Sequence, residues 1–109
     1  MALKGNITID QGTTFSTTID VTNEDGLAID LTGYTGAAQM RKHYTSTTAY
    51  TFTVTIAALS GEVTLSMTAN ATVNIAPGRY MYDCELTDNT GTVSRIIEGI
   101  VTVTPGVTR

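Results

Sequence analysis

The chain has little of the chemistry that enzymes and metal sites need. Its 109 residues include one cysteine, Cys84, one histidine, His43, and no tryptophan. A lone cysteine excludes an intrachain disulfide, and one Cys with one His cannot supply the three or four ligands of a zinc site. His43 lies in a polar stretch far from Cys84 in sequence, so no nucleophile with an adjacent base is visible. We expect no metal, no cofactor and no catalytic centre.

Charge is scarce as well. Charged residues make up 15% of the chain, the formal net charge is -4, and the six Lys and Arg residues are scattered. Without a basic patch to neutralise phosphates, we expect no nucleic acid partner. Polar residues interrupt every apolar stretch, and the first residues do not read as a signal peptide. We therefore expect no membrane contact and a protein made in the cytosol, with Cys84 as a buried thiol.

The acidic residues are better explained by turns and by a solvated strand face than by a site. Residues 23–26 and 88–91 resemble loose calcium ligands, but neither has the ligand spacing of an EF-hand, and both have ordinary turn composition. Asp83 and Glu85 alternate with apolar residues and have no apolar pocket residue beside them. We expect both to face solvent.

Apolar residues recur at every second position through nearly the whole chain, and this period predicts β-strands. Alternation lapses only at residues 68–75, where we expect one short helical turn. Residues 44–48 form the longest candidate loop. The strands are predicted at residues 7–9, 15–22, 34–41, 50–56, 63–67, 80–87 and 92–104.

About seven alternating segments separated by turns indicate an all-β fold of two packed antiparallel sheets. A length near 100 residues is typical of one immunoglobulin-like β-sandwich. No linker or internal repeat is visible, so we expect a single domain spanning residues 1–109 and a complete small protein.

One segment resembles the sixth strand of immunoglobulin-like domains. Tyr82 stands two residues before Cys84 and follows a Pro77 turn, which is the place of the family's tyrosine corner. The resemblance implies that the Tyr82 hydroxyl bonds nearby backbone, with Tyr80 as the competing candidate. The second strand has no partner cysteine, which implies a disulfide-free relative.

The last predicted strand is apolar on both faces. Ile97 shares one face with Val101 and Val103, while Ile96 and Ile100 flank Glu98 on the other. A strand of this kind indicates a face covered by another chain, so Ile96, Glu98 and Ile100 are candidate interface residues. The alternative is two tolerated surface isoleucines.

The order of several short motifs resembles that of small structural proteins of tailed bacteriophages and prophages, including immunoglobulin-like N-terminal modules of baseplate proteins. The motifs lie at residues 9–15, 30–34, 38–41, 78–83 and 91–99. The resemblance implies a non-enzymatic virion protein of the tail, baseplate or neck, assembled in the host cytoplasm. It would form a homo-oligomer and contact other virion structural proteins.

A second hypothesis is a carbohydrate- or cell-surface-binding module, such as a capsid decoration or adhesion protein. On this reading the Thr-rich faces and the loop residues Tyr44 and Tyr50 contact sugar, because aromatic rings stack on apolar sugar faces. An enzyme is a third and weaker hypothesis, motivated only by the acidic turns and Cys84.

Overall fold

A computed structural model describes residues 3–23 and 25–107 of the chain. The prediction of an all-β protein is confirmed. The strands are β1 (Leu3–Lys4), β2 (Ile7–Asp10), β3 (Phe15–Asp20), β4 (Thr35–Arg41), β5 (Tyr50–Ala57), β6 (Glu62–Met67), β7 (Gly78–Thr87) and β8 (Val93–Thr104). Helix in the described residues is limited to a 3-10 turn at Ala58–Ser60 and one α-helical turn, α1, at Ala69–Thr72.

The strands pair in the order β1-β8-β7-β4-β5-β6-β3, and β2 also pairs with β8. Strand β5 connects the two halves of this order. Its beginning, at Tyr50 and Phe52, pairs with β4, while residues 53–57 pair with β6. The eight-residue length of β5 lets it serve both neighbours, so hydrogen bonds run continuously through one curled sheet where the sequence pattern predicts two sheets.

The N-terminal strands pair differently from the rest. Both β1 and β2 run parallel to β8, whereas the other ladders are antiparallel. A two-residue strand such as β1 is too short to show alternation, so the sequence pattern does not reveal it. The parallel pairing of β1 brings Leu3 and Lys4 beside Ile97 and Glu98, in the middle of β8.

The predicted helical turn is confirmed at α1. Thr68 caps it, because its side-chain oxygen accepts a hydrogen bond from the backbone N–H of Ala71 at 3.2 Å. Thr72 is fully buried, and its hydroxyl donates to the carbonyl of Thr13 at 2.7 Å and accepts from the N–H of Gly12 at 3.0 Å. The helical turn therefore holds the loop between β2 and β3 against this end of the sheet.

The core lies inside the curl and draws on both halves of the sheet. Phe52 of β5 sits at its centre, with ring centroids 6.1 Å from Phe15 and 6.2 Å from Tyr82. Burying one large apolar side chain stabilises the fold by about 1.5–3 kcal/mol. The buried apolar residues are Ile9, Ile19, Leu31, Ala38, Met40, Phe52, Val63, Leu65, Met67, Ile75, Tyr80, Tyr82, Cys84, Leu86, Val101 and Val103.

Two turns with the pattern Asp-X-Thr-Gly lie side by side at one end of the sheet. In each, the Asp side chain accepts hydrogen bonds from the backbone and hydroxyl of the Thr two residues later, Asp30 from Thr32 and Asp88 from Thr90. The side chain of Asn89 donates to the carbonyl of Thr32 at 3.1 Å and links the turns. Hydrogen bonding therefore gives both carboxylates a turn-forming role.

Candidate functional site

The outward side chains of β4, β7 and β8 surround a depression of about 630 Å³. We call this surface the outer face. It is defined here by Gln39, Met81, Asp83, Glu85, Glu98 and Ile100. Side chains of β7 alternate between the core and this surface: Tyr80, Tyr82, Cys84 and Leu86 are buried in the core. The residues between them therefore lie on the outer face.

Strand register places the side chains of the outer face in rows. Asp83 of β7 pairs with Glu98 of β8 on one side and with Gln39 of β4 on the other. In the next row, Met81 lies beside Ile100, which is 42% exposed. The result is an apolar pair next to a polar row.

The carboxylates in the polar row are neutralised by basic side chains. Arg95 lies 3.3 Å from a carboxylate oxygen of Asp83 and 3.3 Å from one of Glu98. Lys4 of β1 lies 3.8 Å from the second oxygen of Glu98. These groups are substantially exposed, so each pair contributes no more than about 1 kcal/mol. Their effect is local: they place charges of opposite sign next to one another around the depression.

A β-bulge in β8 changes one predicted interface residue. Cys84 pairs with Ile97 and its neighbour Glu85 pairs with Arg95, so Ile96 has no partner in β7. The extra residue shifts the alternation, and Ile96 packs against the core with Ile97. The prediction that Ile96 faces outward is therefore wrong.

The other two candidate interface residues do lie together. Glu98 and Ile100 both line the depression of the outer face. Arg95 also lines the depression, although simple alternation places it on the inward face; it lies there because of the bulge at Ile96. No simple alternation pattern predicts this arrangement, because the alternation changes phase inside the strand.

The predicted tyrosine corner is also corrected. The hydroxyl of Tyr80 donates to the carbonyl of Ala76, four residues upstream, at 2.6 Å. Tyr80 therefore makes the local bond, because it lies at the start of β7 next to the turn. Tyr82 lies two residues further into the strand, and its hydroxyl donates to the carbonyl of Gly5 at 2.6 Å. Burial raises the pKa of both tyrosines.

The bond from Tyr82 holds the N-terminal segment against β8. The N–H of Gly5 donates to the carbonyl of Glu98 at 3.0 Å, and the side chain of Asn6 accepts from the N–H of Ile100 at 3.2 Å. Gly99 leaves room for this approach, because a Cβ there would overlap the carbonyl of Gly5. Lys4 is thereby positioned beside the outer face.

Cys84 lies directly beneath the outer face and is fully buried. Burial, followed by the nearby charges of Asp83 and Glu85, raises the pKa of its thiol to about 11. The thiolate is the nucleophilic form, and it is scarce at neutral pH. In the described part of the chain, no group of three or more His, Cys, Asp and Glu residues is arranged to hold a metal ion.

A second depression, of about 440 Å³, lies at the end of β4 and the start of β5 and β7. Tyr50 packs edge-on against Tyr80 with ring centroids 5.9 Å apart. The amino group of Lys42 lies 5.0 Å from the centre of the Tyr80 ring. Of the two predicted sugar contacts, Tyr50 is half-buried in this cluster, while Tyr44 is 83% exposed and lies beside the outer face.

None of the helices in residues 3–23 and 25–107 is long and apolar enough to cross a membrane.

Comparisons with known proteins reveal a likeness in fold. No protein-family model matches the chain, and no curated protein matches it. An internalin-like protein of Listeria monocytogenes is 18% identical over 94% of this chain, with a TM-score of 0.50. A variant of the SrpA adhesin from Streptococcus sanguinis is 12% identical over 91%, with a TM-score of 0.53. The chain corresponds to 28% and 54% of these two proteins, and at such identities the likeness concerns the fold alone.

Proposed function

We propose that this chain is a non-enzymatic binding module with an immunoglobulin-like β-sandwich fold, acting as a structural or assembly protein of a tailed-phage virion. The fold proposal is supported by strand order. The neighbours β4, β7 and β8 correspond to strands C, F and G of an immunoglobulin domain, and β3 with β6 to strands B and E. At the start of the strand F equivalent, Tyr80 makes a local backbone bond of the tyrosine-corner kind, two residues before the position that the family uses.

The observation that carries the function is the outer face. Met81 and Ile100 form an apolar pair inside a depression, and the pairs that Arg95 makes with Asp83 and Glu98 border it. Protein interfaces commonly combine an apolar centre, often with Met and Arg, and a polar rim. The paired charges also leave no isolated carboxylate beside the apolar pair, so a partner would not have to cover an unpaired charge there. The surface therefore suits a protein partner.

The chemistry below this surface supports a non-enzymatic role. Cys84 is a buried thiol whose pKa is raised to about 11, so it lacks the character of a nucleophile. Asp83 is bound to Arg95 and has no apolar enclosure that would make it a general acid. Both groups fit a structural role in β7.

The virion context rests on the resemblance of the motif order to structural proteins of tailed phages. Physical properties of the chain agree with it. Virion parts assemble in many copies, and a small β-sheet protein whose surface carries few charges can dock through its strand edges and end loops. We propose other virion structural proteins as the partners and the assembled particle as the location.

Immunoelectron microscopy tests the virion proposal. Antibody against the purified protein is applied to particles of the phage or prophage that carries the gene, with particles from a deletion strain as the control. We expect label at the tail, baseplate or neck and the protein in the particle proteome. Absence from both would exclude a virion role while leaving open a binding function elsewhere.

A cell-surface- or carbohydrate-binding module is the second candidate. It is favoured by the 83% exposure of Tyr44 beside the outer face, and by the names of the structural neighbours, an adhesin and an internalin-like protein. Aromatic rings at such positions stack on sugars. Binding to a glycan array or to intact bacteria, lost in Tyr44→Ala and retained in Asn70→Ala at an exposed position of α1, would favour this candidate. No binding in either assay would reject it.

A further inference from the structure

The curled sheet has two edges, and they differ in how readily an additional strand could pair with them. At one end, β1 and β2 lie beside β8. Their edge is broken at Gly5 and Asn6, carries Lys4, and consists of strands of two and four residues. Short, interrupted and charged edges discourage additional strand pairing. This end of the sheet is therefore protected.

The other end is the six-residue strand β3. Within residues 3–23 and 25–107, β6 is the only strand that pairs with β3. The sequence Phe-Ser-Thr-Thr-Ile-Asp contains no proline, glycine or basic residue, and its register with β6 is free of bulges. Asp20, at the end of the strand, carries its single charge. A straight edge with so little protection favours pairing with another strand.

The pairing of β3 with β6 shows which backbone N–H and C=O groups of β3 have no partner in the sheet. The N–H of Val21, just after β3, donates to the carbonyl of Gly61 on the β6 side. Backbone groups alternate in direction along a strand, so those of Phe15, Thr17 and Ile19 also point to β6. The N–H and C=O groups of residues 16, 18 and 20 consequently point away from the sheet.

We infer that β3 pairs with β3 of a second copy of this chain, antiparallel and about a two-fold axis at Thr18. In this register Thr18 lies opposite Thr18, and Ser16 of each copy lies opposite Asp20 of the other. All three open residues then form reciprocal backbone pairs, with about six hydrogen bonds between the copies. The arrangement is isologous and closed, as in most homodimers.

Side-chain chemistry makes a second copy the best occupant of this edge. Thr17 lies opposite Ile19, and both are β-branched residues that pair well across strands. The Ser16 hydroxyl on the opposite face can donate to the Asp20 carboxylate of the other copy. No like charges face one another, since the two Asp20 residues are at opposite ends of the paired strands. The edge is thus complementary to itself.

Sedimentation equilibrium of the purified wild-type chain tests the inference, with Thr18→Lys and Thr18→Pro as variants. Lysines opposite one another at the axis repel, and proline removes an outward N–H without breaking the ladder to β6. Thr55→Lys, on an exposed position of β5, is the matched control. Circular dichroism establishes that each variant is folded.

We expect a wild-type dimer, a dissociation constant raised at least about tenfold by either Thr18 substitution, and no change in Thr55→Lys. Thr18→Cys should also form a disulfide-linked dimer under mild oxidation, because paired positions at an axis fall within disulfide reach, whereas Thr55→Cys should not. A monomeric wild type, or a dimer insensitive to both Thr18 substitutions, would overturn the inference. If the edge of β3 instead pairs with a different protein, the purified wild-type chain would be monomeric.

Discussion

The hydroxyl of Tyr82 donates a 2.6 Å hydrogen bond to the carbonyl of Gly5, 77 positions earlier in the chain. This bond connects the centre of β7 to the segment between β1 and β2. Through it the core holds the N-terminal residues that place Lys4 beside Glu98. The position of Lys4 beside the outer face therefore depends on the bond between Tyr82 and Gly5, although the Tyr82 side chain lies on the core side of the sheet.

Tyr82→Phe should lower the free energy of unfolding by about 1–2 kcal/mol, because it leaves the Gly5 carbonyl without its donor. Urea unfolding measures this loss. The variant should also be cleaved faster by trypsin after Lys4 in the native state. Tyr80→Phe is the control, since it loses a bond to Ala76 and leaves the N-terminal segment in place. Equal cleavage of the two variants at Lys4 would contradict the role of Tyr82.

Gly33→Ala should destabilise the fold more than Gly91→Ala, although the two glycines occupy equivalent turns. Both have positive φ, +84° and +88°, and an alanine there costs about 1–2 kcal/mol. A Cβ at Gly33 would in addition overlap the side chain of Asn89, while at Gly91 it meets no described atom within 4 Å. Thermal unfolding of both variants provides the comparison. Equal losses would show that Asn89 moves aside without cost.

The twin turns should make the protein sensitive to acid. Hydrogen bonds from Thr32 lower the pKa of Asp30, and those from Thr90 and Thr92 lower that of Asp88, from the ordinary value of 3.8. A lowered folded-state pKa means that the stabilisation is complete above the unfolded-state value and is lost as pH falls through the folded-state value.

The melting temperature of Asp88→Asn, measured from pH 7 down to pH 2, tests this dependence. The wild type should be the more stable protein at neutral pH, and its advantage should shrink once the pH falls below the ordinary aspartate range. Asp25→Asn, in a separate exposed turn, serves as the control. A difference in melting temperature between wild type and Asp88→Asn that stays constant at every pH would contradict a lowered pKa of Asp88 in the folded protein.

Cys84 should be unreactive in the native protein. Its thiol is buried and its pKa is raised to about 11, so the thiolate population at pH 8 is small and inaccessible. Ellman's reagent should therefore label the protein only after unfolding in urea. Rapid labelling of the native protein at pH 8 would show that the region below the outer face is open.

The sequence predicted those features that depend on local pattern. Alternation identified every strand except β1, and turn composition located the turn at Asp88. It failed where geometry depends on distant residues. The bulge at Ile96 changes the phase of β8 and depends on pairing with β7. The choice between Tyr80 and Tyr82 depends on which carbonyl lies within reach of each hydroxyl.

The outer face as a whole was partly predictable. Glu98 and Ile100 were identified because the last strand is apolar on both faces, a pattern that indicates an outward face covered by another chain. Arg95 and Lys4 were not, because their positions result from the bulge and from the parallel pairing of β1. Neither the bulge nor the parallel pairing produces a periodic pattern of apolar residues in the amino-acid sequence.

Incorporation of variants into phage particles tests the proposed docking role of the outer face most directly. Particles lacking the gene are complemented with wild type, Met81→Lys, Ile100→Lys or Thr53→Lys, each shown to be folded, and the incorporated protein is quantified by mass spectrometry. We predict that wild type and Thr53→Lys are incorporated equally and that both outer-face variants are strongly depleted. Equal incorporation of all four proteins would contradict the account.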